Sequence, residues 1–146
     1  MSTLSPAVHL LFPLVAGETR LVIPLEETVL SAALKPASDR SQRLIVFVHG
    51  AASNASRWEE FVDTTALSQR WTLVRFDLRG HGASPARRPG RLENYADDIA
   101  AVIGAAGAHG PIVVVGHSLG AAAALVFAKR FPHIVNGLVL IDPLLE

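Results

Sequence analysis

The 146-residue sequence contains no cysteine, which excludes disulfide bridges, thiol nucleophiles and thiolate metal sites. Charge is scarce as well. Only 18% of residues are charged, 13 basic against 13 acidic, so no nucleic acid or anionic membrane is expected as a partner. No apolar run is long enough to span a bilayer. The stretch Met1 to Gly17 contains Leu10-Leu11-Phe12, but Pro6 and Pro13 interrupt it and no basic segment precedes it. It makes a poor signal peptide, and a cytoplasmic location is the default expectation. None of the six histidines pairs at metal-ligand spacing with supporting carboxylates. Neither a glycine-rich Lys-Ser/Thr phosphate loop nor a dinucleotide fingerprint occurs, so no cofactor and no metal are expected. Repeats, low-complexity tracts and linkers are absent too, and the length is that of one domain, covering 1–146 with 1–19 as an irregular leader.

What is present is an alternation of apolar runs and amphipathic segments. Arg20 to Leu25 and Glu27 to Leu34 read as two short strands, a hairpin broken near Pro24. Leu44-Ile45-Val46-Phe47-Val48 is a continuous apolar run of strand length, as in a parallel sheet covered on both faces. A helix is expected after it, with Ser56 and Glu59 at capping-box spacing and Trp58, Phe61, Val62 and Thr65 on one face. Thr72 to Phe76 reads as the next strand. A second helix runs from about Glu93 to Ala106, with Leu92, Tyr95, Ile99, Val102 and Ile103 at amphipathic spacing. A third runs from about Leu119 to Arg130, where Lys129 and Arg130 suit the helix dipole and Phe131-Pro132 ends it. Val135 to Ile141 is the last strand, delivering Asp142 and Pro143. The predicted class is α/β, a mostly parallel sheet with flanking helices.

The chemistry concentrates at Pro111-Ile112-Val113-Val114-Val115-Gly116-His117-Ser118-Leu119-Gly120, where a β-branched strand stops at Gly-x-Ser-x-Gly and a small-residue helix begins at once. In a strand–elbow–helix turn, the glycines make room for tight packing and the serine hydroxyl is lifted above the sheet end. Two further motifs precede it in order, His49-Gly50 after one strand and Asp77-x-Arg79-Gly80-x-Gly82-x-Ser84 after the next.

Together these three motifs resemble the N-terminal half of the α/β-hydrolase family, over roughly Leu30 to Pro143. The resemblance implies that Ser118 is the nucleophile and that the backbone N–H groups of Ala51 and Leu119 form the oxyanion hole. It implies a small-molecule, ester-like substrate and disfavours the branches that use an aspartate nucleophile. His117 is expected to pack or hydrogen-bond beneath the turn, His49 to brace its loop and His81 to be structural. Asp77 and Arg79 are expected to form a bracing network, and His9, His109 and His133 to be ordinary loop residues.

The family's triad runs serine, acid, histidine, and this sequence ends before the usual acid and histidine. Asp142 stands where some members place the acid, although an Asp-Pro there also makes a strand-ending turn. The cap and last strands of the fold are missing, so the chain reads as a fragment with little activity alone. The alternative is a truncated, non-catalytic binding or interaction module. The last strand should form an exposed apolar edge through which the chain could self-associate.

Overall fold

A computed structural model describes residues 11–86, 88 and 90–143. Six strands form one sheet: β1 (Thr19–Pro24), β2 (Val29–Lys35), β3 (Leu44–Val48), β4 (Thr72–Phe76), β5 (Ile112–His117) and β6 (Gly137–Ile141). Their spatial order is β1-β2-β4-β3-β5-β6. β3 runs parallel to β4 and to β5, and β5 runs parallel to β6. The hairpin β1–β2 joins antiparallel at the β4 side. Its turn is closed by Leu25 N–H donating to Thr28 O at 2.8 Å, with Glu26 and Glu27 at the tip. Pro24 is the last residue of the edge strand, a place where its missing N–H costs no ladder bond.

Three helices flank the sheet, α1 (Glu59–Thr64), α2 (Leu92–Ala106) and α3 (Leu119–Arg130). Alternation along the strands divides the core between the two faces. Leu44, Val46 and Val48 of β3, with Val74, Phe76, Ile112 and Val114, pack against Ile99 and Val102 of α2 and Ala123, Ala124 and Phe127 of α3. Ile45, Phe47 and Leu73 point to the other face, where Val62 of α1 and Trp58 cover them. Ala121 to Ala124 are all buried. Their small side chains let the α3 backbone approach the sheet closely.

The first helical segment starts earlier than its sequence pattern suggests. Residues Ala55–Trp58 form a 3-10 turn ahead of α1, and the cap is the Asn54 side chain, which accepts from Ser56 N–H at 2.9 Å. Ser56 therefore receives a cap rather than providing one. The extended Asn54 backbone is the geometry an N-cap needs, and it comes two residues before the expected one.

The described part of the leader, 11–18, is irregular but pinned. Phe12 is buried between two guanidinium groups, Arg20 at 5.0 Å and Arg75 at 4.7 Å from its ring centre. Arg75 lies wholly inside the protein and bonds Glu18 through both carboxylate oxygens, at 2.8 and 2.6 Å. It also donates to Pro13 O and to Ala55 O. Among the described residues, no helix is long and apolar enough to cross a membrane.

Candidate active site

β5 ends at His117, and Ser118 turns the chain into α3 with φ 54° and ψ −113°. A positive φ at a residue with a Cβ is strained by about 1–3 kcal/mol, and such strain gathers at functional turns. The turn is held by Ser118 N–H donating to Ile141 O at 2.9 Å and by Ala121 and Ala122 N–H donating back to Ser118 O. Packing around it leaves no room for side chains on the flanking glycines. A Cβ on Gly116 would fall 2.6 Å from Gly120 C, and one on Gly120 would fall 2.5 Å from His49 O. A Cβ on Gly50 would lie 3.3 Å from Ser118 Cβ. The loop after β3 therefore lies directly against the serine. Replacing Ser118 by glycine, which tolerates positive φ, is expected to raise stability by about 1 kcal/mol, whereas Ser118→Ala keeps the strain. Urea unfolding of the two variants checks this.

The loop carrying Ala51 is fastened at both ends. At the near end, buried His49 donates from Nδ1 to Gly50 O at 2.7 Å and accepts at Nε2 from Leu78 N–H at 3.0 Å. A carbonyl can only accept and an amide can only donate, so these partners dictate the neutral Nδ1–H tautomer. A trans peptide sets its C=O and N–H antiparallel, so the Gly50 carbonyl turned to His49 directs Ala51 N–H away from the imidazole. At the far end, the Ala55 peptide is gripped from both sides by β4 and its continuation. Arg75 donates to its carbonyl at 3.1 Å, and Asp77 Oδ1 accepts from its N–H at 2.6 Å. Between the two anchors Ala52 has φ 54°. Among the described residues, the N–H groups of Ala51 and of Leu119, the first residue of α3, have no hydrogen-bond partner.

Burial holds the His49 pKa down to about 4, outweighing the hydrogen bond to Gly50. Below pH 6.5 the unfolded chain takes up a proton that the folded site refuses until about pH 4. Stability linked to His49 is therefore highest above pH 6.5 and falls as the pH drops towards 4. Asp77 and Asp98 act in the opposite sense, because burial raises both carboxyls and folding then favours their protonated forms. Their contribution is lost as the pH rises from the ordinary 3.8 through their raised values. In urea unfolding, the stability difference between the parent protein and His49→Gln should change by roughly 2–3 kcal/mol between pH 7 and pH 4.5, at the parent's expense. An equal loss in both proteins would count against the assignment.

Asp77 and Arg79 both brace the next loop, but through separate partners rather than with each other. Asp77 Oδ2 accepts from Ala83 N–H at 2.9 Å. Arg79 pairs with buried Asp98 of α2, its Nη2 2.7 Å and its Nε 2.9 Å from Oδ1, while its own N–H donates to Oδ2 at 3.0 Å. His81 is structural in its contacts. Its Nδ1 meets Arg79 O at 3.1 Å, and its ring sits 5.0 Å from that of His49 and 6.1 Å from Tyr95. Ser84 Oγ accepts from Ser31 N–H at 2.9 Å, tying this loop to β2.

The remaining histidines among the described residues are not arranged as a base for Ser118. His117 lies beside Gly50, and its buried Nδ1 has no partner among the described residues. His133 is exposed in the turn before β6, at the amino end of the sheet, where neighbouring Asn136 bonds Ile112. The length of a six-residue strand, about 20 Å, separates that end from Ser118. His109 is exposed at the same end, and His9 lies outside the described residues. Asp142 is different. His117 pairs in register with Ile141, so Asp142 follows β6 beside Ser118, exposed and at φ 47°. No group of three His, Asp or Glu side chains among the described residues is placed to hold a metal ion. A cleft of about 420 Å³ lined by Val15, Ser56, Arg57, Glu59, Glu60 and Asp63 shares no residue with this site.

Glu18, Arg75 and Asp98 support the site from outside its motifs. Arg75 could have been noticed as a charge inside the apolar strand Thr72-Leu73-Val74-Arg75-Phe76, but its partner is 57 residues away.

Comparison with known proteins agrees with this geometry. The chain is 41% identical over 100 residues to a 2-(acetamidomethylene)succinate hydrolase of Mesorhizobium japonicum, covering 68% of this chain and 35% of that protein. It is 34% identical over 96 residues to a pimeloyl-[acyl-carrier protein] methyl ester esterase of Neisseria meningitidis, covering 66% of this chain and 34% of that protein. The crystal structure of an E-2-(acetamidomethylene)succinate hydrolase superposes with a TM-score of 0.73 at 33% identity, over 86% of this chain and 44% of that one. The chain thus spans roughly a third of the length of these two curated relatives. Residues 43–146 match the alpha/beta hydrolase fold, and with the elbow, the sheet order and these relatives in agreement, the chain belongs to the alpha/beta hydrolase family.

Proposed function

We propose that Ser118 is the nucleophile of a serine hydrolase that transfers an acyl group from a small carboxylic ester to water. The observation that carries this reading is the strained Ser118 turn, set against a doubly anchored loop with two uncommitted N–H groups nearby. In the proposed reaction the Ser118 Oγ adds to the ester carbonyl carbon. The developing oxyanion accepts hydrogen bonds from Ala51 and Leu119 N–H, a donor pair worth several kcal/mol at about 3–4 for one donor. The alcohol departs with a proton, and water then cleaves the acyl-enzyme and restores the hydroxyl. The methyl ester esterase among the relatives supports an ester as substrate.

The serine proton needs a base, and both ring nitrogens of His49 are engaged while His133 lies at the opposite end of the sheet. A serine that keeps its proton is a weak nucleophile, so the 146 residues are expected to turn over slowly or not at all. An external base should substitute. Incubation with a fluorophosphonate is expected to modify Ser118, at a rate that rises with added imidazole, and Ser118→Ala should remain unmodified. Mass spectrometry reads the adduct. A folded protein that stays unlabelled at Ser118 even in imidazole would overturn the proposal.

That no base is placed beside Ser118 among the described residues also favours a second reading, a non-catalytic binding module. It predicts ligand or partner affinity that is indifferent to Ser118→Ala, measurable by calorimetry.

A further inference from the structure

The anchor at Ala55 is only as firm as the group that grips it. Arg75 reaches the Ala55 carbonyl through Nη1 at 3.1 Å, while its other donors engage the leader. Nε and Nη2 bond the two carboxylate oxygens of Glu18 at 2.8 and 2.6 Å, and Nη2 also donates to Pro13 O at 2.9 Å. A guanidinium is planar and rigid, so a two-pronged bond to one carboxylate fixes the direction of its third nitrogen. The leader holds Glu18 in turn. Val15 N–H donates to Glu18 Oε1 at 2.8 Å and Glu18 N–H donates to Val15 O at 3.1 Å, closing a turn in which Gly17 takes φ 85°. Phe12 lies across the Arg75 guanidinium and clusters with Ala33 and Ala55, so the leader meets the anchor directly as well as through Arg75.

The grip on Ala55 matters because the loop it ends is strained. Ala52 keeps φ 54°, a conformation that a residue with a Cβ holds only where its surroundings over-determine it. Asp77 alone would hold the Ala55 N–H at 2.6 Å, and a peptide held by one bond can pivot about it. With Arg75 on the carbonyl, the peptide is fixed from both sides and the loop from Gly50 to Ala55 has both ends set.

We propose that Glu18 and Arg75 are positioning residues for acyl transfer at Ser118. Through them the leader turn sets the Ala55 peptide, and with it the direction of the Ala51 N–H. The inference rests on the reading of Ser118 as nucleophile and Ala51 as an oxyanion donor. Both side chains are wholly shielded from solvent, so neither touches a substrate. Their contribution is to keep one donor aimed where negative charge develops. Misplacing such a group by about 1 Å can cost on the order of 100-fold in rate.

The test separates reactivity from stability. Fluorophosphonate labelling of Ser118 in saturating imidazole is followed by mass spectrometry over a range of probe concentrations, giving a maximal rate and a half-saturating concentration. In Arg75→Met/Glu18→Gln no buried carboxylate is orphaned, so much of the stability should return while the Ala55 carbonyl stays ungripped. Its maximal labelling rate is expected to fall about tenfold or more below that of the parent chain, with the half-saturating concentration changed by less than about twofold. Arg75→Lys should behave alike, because an ammonium beside Glu18 presents no fork to reach Ala55 as well. Either variant suffices if the other fails to fold. Each is assayed well below its melting temperature, and labelling carried to completion counts the folded molecules, so a merely less stable protein would show the parent's rate. A parent-like maximal rate in a folded variant would overturn the proposal, as would an effect confined to the half-saturating concentration. A parent chain that stays unlabelled in imidazole would instead overturn the nucleophile reading, and this proposal with it.

Discussion

A Gly120→Ala variant is expected to lose about 3 kcal/mol or more of stability. The new Cβ would stand 2.5 Å from His49 O and 2.8 Å from Val48 C. Both obstacles are backbone atoms of the central strand and its continuation, so no rotamer change relieves the overlap. Relief requires α3 to move away from the sheet, breaking the close approach that Ala121 to Ala124 permit. The same movement would drag the Ser118 turn away from Gly50, so loss of fold and loss of the site geometry should go together. Gly104→Ala is the control. It lies in α2, where a Cβ would meet nothing within 4 Å. It should stabilise by about 0.5–1 kcal/mol, since alanine is the better helix former. Thermal unfolding of the pair separates crowding from any general effect of replacing glycine. Similar melting temperatures for the two variants would show that the elbow tolerates a side chain.

Arg75→Met should destabilise by about 3–5 kcal/mol. The Arg75 guanidinium and the Glu18 carboxylate are both completely shielded from solvent and meet in a two-pronged bond. Methionine fills much of the same volume but leaves Glu18 buried without its counter-charge, and the carbonyls of Pro13 and Ala55 lose a donor. The damage should therefore reach further than one ion pair. The leader loses its anchor, and the Ala55 peptide is held from one side only. The double variant Arg75→Met/Glu18→Gln is the informative comparison, because a neutral side chain no longer demands a partner. It should recover more than half of the loss in urea unfolding. A double variant as unstable as Arg75→Met would mean that the carbonyl contacts, not the orphaned carboxylate, carry the effect.

These two residues also show what sequence reading captures and what it misses. The crowding at Gly120 is local. A β-branched strand, a five-residue turn motif and an alanine run lie within about a dozen positions, and each segment agrees with its neighbours about the turn. The α/β class, the strand and helix succession and the place of Ser118 were legible for the same reason. The partners of Arg75, Arg79 and Ser84 were not. Glu18, Asp98 and Ser31 lie 57, 19 and 53 residues away from them, and no periodicity links positions that only the folded chain brings together. The cap at Asn54 was displaced for a smaller reason. Asn54 and Ser56 are both good caps, and the contacts of Arg75 and Asp77 with Ala55 set where the turn begins.

The strand order has a consequence for how the chain reaches this structure. β3 is central, yet its two neighbours are made after it, and Leu44 pairs with Ile112, 68 residues later. At about 5–20 residues per second of synthesis, β3 waits roughly 3–14 s for β5 to appear. Its five apolar residues have only β4 to shelter one edge for much of that time. Pairings this distant also make refolding slow compared with helical proteins of the same size. The nascent chain should therefore depend on holdase chaperones until the strand bearing the serine turn has emerged.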